Sequence, residues 1–232
     1  MLMTMTTSRR LALFKRTLDS LRENVIDLYS FVDRCLVIDD HSDRCDVDEM
    51  HGYFDRYLPS IKLTIIGNSV DNQWRHVNSM NMWLDAIRDE QLVFHLEDDW
   101  GFMPPRRFVL DWAVNVLQTH NWVAQACFRA VTDRITKPHP DETFWVDCLE
   151  NYPPDPNRKS PWHWPSRFTL NPAVTRVAVI TGLGQFKPVS GFERVFGLKM
   201  VEAGYTTVYH PQGFCQHIGA ELSAYEINGS TR

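Results

Sequence analysis

The sequence predicts an α/β protein with a Rossmann-like, mostly parallel central sheet flanked by helices. Three observations carry that reading. Short apolar runs rich in β-branched residues alternate with segments of helical periodicity through the first hundred residues, the pattern of parallel strands joined by crossover helices. Two of the runs, Cys35-Leu36-Val37-Ile38 and Leu92-Val93-Phe94-His95-Leu96, end in acidic clusters, Asp39-Asp40 and Glu97-Asp98-Asp99. Open α/β sheets bind their ligands outside the carboxyl ends of the strands, so two acid-tipped strands in one half of the chain point to a single site.

The elements follow in order. Met1 to Thr7, apolar and Thr-rich, reads as the first strand; Ser8 offers an N-cap to a helix with the stripe Leu11, Phe14, Leu18, Leu21 and Val25. Arg34 to Asp40 is a buried strand, residues 46–58 a helix, and Lys62 to Ile66 a third strand. Val77, Met80, Leu84 and Ile87 form the next helical stripe, which leads into the Leu92 strand. Pro104-Pro105 suits a helix start, with Val109, Trp112, Ala113, Val116 and Leu117 as the buried face, and Trp122 to Ala130 reads as a further strand. Thr132 to Arg167 holds seven of the thirteen prolines together with Trp145, Trp162 and Trp164, and shows no periodicity; a long aromatic loop of this kind suggests function rather than disorder. Phe168 to Asn171 and Arg176 to Ile180 suggest short strands. Phe192, Val195, Phe196 and Met200 mark a last helix stopped by Gly204, and Thr206 to Tyr209 a last strand.

Composition narrows the partners. At 232 residues the chain reads as one domain, 1–232, with length for a sizeable core. Its formal charge of -5 gives no overall basic field to favour nucleic acid. No stretch approaches eighteen consecutive apolar residues, so no membrane span is expected. Five scattered cysteines without a Cys-x-x-Cys pair argue for a reducing compartment, and with Arg9-Arg10 following a short N-terminal segment the expected location is cytoplasmic. Gly182-Leu183-Gly184 begins like a dinucleotide fingerprint but has Lys187 where the third glycine belongs, and no Gly-x4-Gly-Lys-Ser/Thr loop exists. A nucleotide ligand would depend on carboxylates, a metal and side chains.

The residues offer that chemistry. Three adjacent carboxylates repel one another unless a cation or solvent compensates them, and oxygen ligands suit a hard divalent ion that also holds a diphosphate. Asp39 and Asp40 can accept hydrogen bonds from a base imide or a ribose hydroxyl, or else cap a helix. Arg9 and Arg75 are either diphosphate clamps or surface arginines. Glu193, near the start of the last helix, is either a dipole-stabilised acid or a general base. His217 is either a core histidine or an imidazole ligand completing a metal site. Trp162 and Trp164 are either packing aromatics or a platform for a sugar ring.

In order and spacing, Thr6-Thr7-x-Arg9, Leu36-Val37-Ile38-Asp39-Asp40-His41-Ser42 and His95-Leu96-Glu97-Asp98-Asp99-Trp100 resemble the nucleotide-sugar half of a GT-A glycosyltransferase, most like family 2. Phe168-Thr169-Leu170-Asn171-Pro172, Gly191-Phe192-Glu193 and His217-Ile218-Gly219 resemble the acceptor half of such enzymes. The resemblance implies a GT-A fold with a nucleotide-sugar half, 1–100, and an acceptor half, 101–232. It implies transfer of a sugar from a UDP- or other NDP-linked donor to a hydroxyl of a glycan or other acceptor. Thr6, Arg9, Asp39, Asp40, Arg75, Glu97 and Asp98 would bind the donor. Asp99, in the position of the last acid of the DxD motif, would hold Mn2+ or Mg2+ with His217. Glu193 would be the base of an inverting reaction, and Trp162 and Trp164 would bind the acceptor. The usual Pro-x-x-Asn after the first strand is missing, and no Asp follows Glu193. Two other classes share parts of the pattern. A sugar nucleotidyltransferase would carry a glycine-rich loop after strand one, whereas the first glycine here is Gly52. A non-catalytic carbohydrate- or nucleotide-binding module would keep the acidic strand ends without needing Glu193.

Overall fold

All six residues of the first strand, Leu2–Thr7 (β1), are buried, as expected of a strand paired on both edges and covered on both faces. The computed structural model describes residues 1–129, 136–138, 145–147 and 168–219. From β1 the chain runs through helices Leu11–Asn24 (α1) and Leu28–Phe31 (α2), strand Arg34–Asp39 (β2), helix Arg44–Tyr57 (α3) and strand Lys62–Gly67 (β3). Helix Arg75–Ala86 (α4) leads to strands Leu92–Glu97 (β4) and Trp100–Phe102 (β5), helix Val109–Thr119 (α5) and strand Val123–Cys127 (β6). Short strands Thr136–Pro138 (β7) and Trp145–Asp147 (β8) lie within the Pro-rich segment. The last elements are strand Ala173–Arg176 (β9), helices Val177–Gly182 (α6) and Phe192–Glu202 (α7), and strands Thr206–Tyr209 (β10) and Cys215–His217 (β11).

Among the described residues the main sheet has nine strands in the order β3-β2-β1-β4-β9-β6-β10-β8-β7. β1, β2, β3 and β4 are parallel neighbours, and β10 runs parallel to β6. β9 is antiparallel to both β4 and β6, so a reversed strand joins the two parallel groups. Strand alternation sorts the core into two layers. Met3, Met5, Val37, Phe94 and Leu96 face Phe14 and Leu18 of α1, Phe54 of α3 and Val109 to Leu117 of α5. Leu2, Leu36, Ile38 and Val93 face Met80 and Trp83 of α4, Ile180 of α6 and Phe196 and Met200 of α7. The second layer contains a polar trio. Trp83 Nε1 donates to Thr4 Oγ1 at 2.9 Å, and the Thr4 hydroxyl lies 2.9 Å from His95 Nδ1. With its hydroxyl oxygen accepting from Trp83, Thr4 donates its proton to His95 Nδ1, and burial pushes the imidazole pKa down to about 3.

Several local expectations are corrected. Ser8 does not cap α1: its hydroxyl donates to the Asp40 carbonyl at 3.0 Å, and Arg10 stands at the N-cap without a side-chain cap bond. The Pro104-Pro105 peptide is cis and precedes the helix, which starts at Val109. Asp27 Oδ2 accepts from the Asp111 amide at 2.7 Å, capping α5 from across the chain. Phe168–Asn171 is not a strand, and Val177 to Ile180 is helical, the strand being Ala173–Arg176 just before it. β7 and β8 bring regular pairing into a segment that reads as loop. Cys35, Cys45, Cys127 and Cys215 are free thiols, and no described helix is long and apolar enough to cross a membrane.

Candidate active site

Parallel register brings the strand ends to one edge. Thr7 pairs with Asp39, and Asp39 with Gly67; on the other side Thr6 pairs with Glu97. The carbonyls at these ends hold the next residues in place: Asp40 N donates to Thr7 O at 2.8 Å, Asn68 N to Asp39 O at 2.7 Å and Asp98 N to Thr6 O at 3.1 Å. Both acidic clusters therefore sit at the carboxyl edge of the sheet, where an open α/β sheet binds its ligand.

The Asp39 side is a polar shelf. Asp39 Oδ2 accepts from the Ser42 amide at 3.0 Å, while Oδ1 is buried with no partner. An acceptor buried without a donor is costly, and a ligand N–H or O–H would satisfy it. Asp40 Oδ1 lies 3.2 Å from His41 Nδ1 and Oδ2 lies 3.4 Å from Arg75 Nε. Asn68 ties this shelf to α4, donating to the Arg75 carbonyl at 2.8 Å and to Ser79 Oγ at 2.9 Å. Arg9 meets the β2 end: its Nε donates to the His41 carbonyl at 2.8 Å and its amide to Ser42 Oγ at 3.0 Å. Arg9 and His41 both adopt left-handed backbone (φ 52° and 66°), a conformation that non-glycine residues seldom take and that clusters at functional sites.

The Glu97–Asp98–Asp99 side is organised by Arg10, which the sequence reading passed over in favour of Arg9. Its guanidinium donates through Nη1 to Asp99 Oδ2 at 2.8 Å and through Nε and Nη2 to the two oxygens of Asp98. Thr7 Oγ1 adds a bond to Asp98 Oδ2 at 2.7 Å, and Thr17 Oγ1 holds the Asp98 carbonyl at 2.7 Å. Asp98 is fully buried, and burial pushes its pKa up to about 7 despite the guanidinium beside it. Burial also holds Glu97 well above the usual carboxylate range, with repulsion from Asp99 and Glu193 adding to it.

The second half of the chain closes over these acids. β11 pairs antiparallel with β5, placing His217 opposite Trp100. His217 Nε2 lies 3.1 Å from Asp99 Oδ2, and Ile218 N donates to the Asp99 carbonyl at 2.7 Å. Gly219 lies so close that a Cβ there would fall 2.6 Å from Asp99 Cβ, a separation real side chains do not tolerate. Glu193 comes from the first turn of α7, after Gly191 at φ 67°. It accepts a hydrogen bond from the Leu170 amide, and burial pushes its pKa up to about 7. His76, at the start of α4, lies with Nε2 3.9 Å from Glu97 Oε1 and its ring edge-on to Phe192 at 5.2 Å. Sequence reasoning missed it too, although its neighbour Arg75 had been singled out. Trp162 and Trp164 lie outside the described residues.

Asp99 and His217 suit a divalent ion: a carboxylate and an imidazole converge, and Asp99 Oδ1 is buried with no partner. Among the described residues no group of three or more His, Cys, Asp or Glu is arranged to hold one. The guanidinium of Arg10 stands between Asp98 and Asp99, paired with both.

Comparison of the sequence with protein-family models and with curated proteins gives no match. The architecture does match solved structures. It superposes with a TM-score of 0.65 on Staphylococcus aureus TarS 1-349, at 14% identity, over 95% of this chain and 60% of that one. A mannosyltransferase from Pyrobaculum calidifontis in complex with GDP-Man and Mn2+ gives 0.65 at 15% identity, over 97% of this chain and 59% of that one. Glucosyl-3-phosphoglycerate synthase from Mycobacterium tuberculosis, in complex with Mn2+, UDP and phosphoglyceric acid, gives 0.57 at 12% identity, over 99% and 73%. The chain has the GT-A fold. It spans about 60% of the length of the first two of these structures. Within the GT-A fold of this chain, the acids read from the sequence occupy the carboxyl edge of the parallel strands.

Proposed function

We propose that this protein is a divalent-metal-dependent glycosyltransferase. It would move a sugar from a UDP- or other NDP-linked donor to a hydroxyl of a glycan or other acceptor, with inversion. The observation that supports this most is the meeting of two distant parts of the chain at the acid-tipped strand ends: His217 Nε2, from β11, lies 3.1 Å from Asp99 Oδ2, just beyond β4. The mannosyltransferase and synthase structures above hold Mn2+ with a nucleotide or nucleotide sugar, which favours the same ligand class here. Residues 1–100 act as the nucleotide-sugar half and 101–232 as the acceptor half of one domain. A reducing, cytoplasmic setting fits the free thiols.

On this reading Asp39 Oδ1 accepts from the nucleobase, while Thr6, Asp40 and Arg75 line the nucleoside shelf and Arg9 braces it. Glu97 faces the ribose and diphosphate, while Asp98, read from the sequence as a donor contact, is fully buried and acts through Arg10 and Thr7, which occupy its oxygens. Asp99 and His217 hold the divalent ion, which when bound supplies Lewis-acid stabilisation of the departing diphosphate. Glu193 takes the proton of the acceptor hydroxyl as that oxygen bonds to the anomeric carbon from the face opposite the breaking sugar–phosphate bond. Its desolvated carboxyl, with a pKa near 7, is well matched to that work at neutral pH. Trp162 and Trp164 offer stacking faces to the acceptor.

Isothermal titration with several nucleotide sugars, in Mn2+ and in EDTA, tests the reading. Binding should require the cation, and Asp99→Asn should abolish most of that requirement together with the affinity. Equal affinity in EDTA and in Mn2+ would remove the metal from the mechanism. Binding without sugar transfer to any acceptor would leave only a binding module.

A further inference from the structure

Asp99 is closed on both of its oxygens. Oδ2 is shared by Arg10 Nη1 at 2.8 Å and His217 Nε2 at 3.1 Å, and Oδ1 is buried without a partner. The ion cluster is nearly sealed, with side-chain exposure of 9% for Arg10, 0% for Asp98 and 10% for Asp99. A divalent ion touching Asp99 would therefore sit against the guanidinium, at a distance where two cations repel strongly. Arg10 also serves Asp99 with only part of its fork. Its guanidinium is spread over two carboxylates, with Nε and Nη2 on Asp98 and only Nη1 on Asp99. A purely structural ion pair satisfies its acid, yet here one buried oxygen of Asp99 is left over.

We propose that Arg10 is an exchangeable counter-cation. It neutralises Asp98 and Asp99 in the metal-free protein and leaves Asp99 when a divalent ion arrives, and its freed guanidinium then grips the donor's diphosphate. The planar fork that now spans two carboxylates has the geometry for two phosphate oxygens. This role rests on reading Asp99 as the cation site, and it assigns the diphosphate contact to Arg10 rather than to Arg9. Arg9 instead braces the β2 end through the His41 carbonyl. The exchange couples the two ligands: metal pays for the release of Arg10, and diphosphate rewards it.

The test measures Mn2+ binding alone, by loss of the free-ion electron paramagnetic resonance signal, and UDP binding with Mn2+ by calorimetry. Wild type, Arg10→Gln and Arg10→Lys are compared, with folding checked by circular dichroism. Arg10→Gln should bind Mn2+ alone about tenfold tighter and UDP with Mn2+ about tenfold weaker, two effects of opposite sign that a structural salt bridge does not produce. Arg10→Lys, still a cation but without the fork, should keep wild-type Mn2+ affinity and lose UDP affinity. If Arg10→Gln does not fold, the Arg10→Gln/Asp98→Asn double variant is read against Asp98→Asn with the same expectations. Mn2+ affinity unchanged or weakened on loss of Arg10 overturns the proposal, even where UDP still binds and the donor reading stands. A gain in Mn2+ affinity without UDP binding by any variant, wild type included, supports the exchange at the metal and removes the nucleotide reading instead.

Discussion

Replacing Glu193 with glutamine separates catalysis from packing through pH. The carboxyl sits in the first turn of α7, accepts the Leu170 amide and is raised from 4.5 to about 7, chiefly by burial. At about 1.36 kcal/mol per tenfold change in proton affinity, that displacement disfavours the ionised form by roughly 3 kcal/mol. Residual solvent contact trims this to about 1–3 kcal/mol. The favourable helix-dipole contribution at the same position is about 0.3–1 kcal/mol, so burial decides the sign. Because the folded pKa lies above the unfolded one, the stability this group contributes is complete below about pH 4.5 and is lost as pH rises through 7. Glutamine has no such titration. The melting temperature of Glu193→Gln relative to wild type should therefore climb between pH 5 and pH 8, by the equivalent of about 1–3 kcal/mol. Sugar transfer by wild type should rise about tenfold per pH unit below 7 and level off above it, and the variant should lose about 10²–10⁴ of it with donor affinity retained. A melting difference that is flat with pH refutes the burial argument. Near-normal transfer refutes the base.

Gly219→Ala places a Cβ 2.6 Å from Asp99 Cβ; it should cost about 1–3 kcal/mol in denaturant unfolding and weaken Mn2+ binding, and unchanged values in both would mean the His217–Gly219 strap does not position Asp99. Asp39→Asn exchanges an acceptor for a mixed donor and acceptor at the orphaned Oδ1; nucleotide affinity should fall about tenfold or more while Mn2+ binding alone is unaffected, and calorimetry with UDP checks both. Thr4→Val strips the hydroxyl that serves Trp83 and His95; urea unfolding should show a loss of about 1–3 kcal/mol with donor affinity unchanged, and a loss near zero would mean water replaces the hydroxyl.

The first parallel group was legible because its signals are local. Short apolar, β-branched runs and helical stripes identify β1 to β4 and their helices, and the acids are adjacent in sequence to the strands that carry them. What was not legible depends on partners far along the chain. Ser8 looks like an N-cap, but the Asp40 carbonyl, thirty-two residues away in sequence, takes its hydroxyl. In the Arg9-Arg10 doublet the register of one residue decides which arginine meets the acids, and the partners lie 88 and 89 residues on. The absence of any basic residue next to Glu97-Asp98-Asp99 was the available hint that a distant cation serves them. The reversal of β9 has no sequence signature, since Ala173-Val174-Thr175 suits a strand of either direction. His76 escaped for a similar reason: the start of α4 is recognisable, but not that it lies against Glu97.

That reversed strand has a consequence for how the molecule comes together. β9 occupies the edge of β4, with His95 against Ala173 and Leu92 against Arg176, so the last strand of the first hundred residues gains its second neighbour only after some eighty more have been synthesised. Until then β4 presents a row of unpaired amides and carbonyls between two apolar faces, the kind of edge that recruits other chains. The ladder that later fills it sets how far the Leu170 amide, three residues before β9, stands from Glu97, and a slip of a single residue would shift that spacing by about 3.3 Å and turn the strand's faces over. The spacing between the Leu170 amide and β4 is thus set by strand pairing, and it cannot form until both stretches of the chain are present.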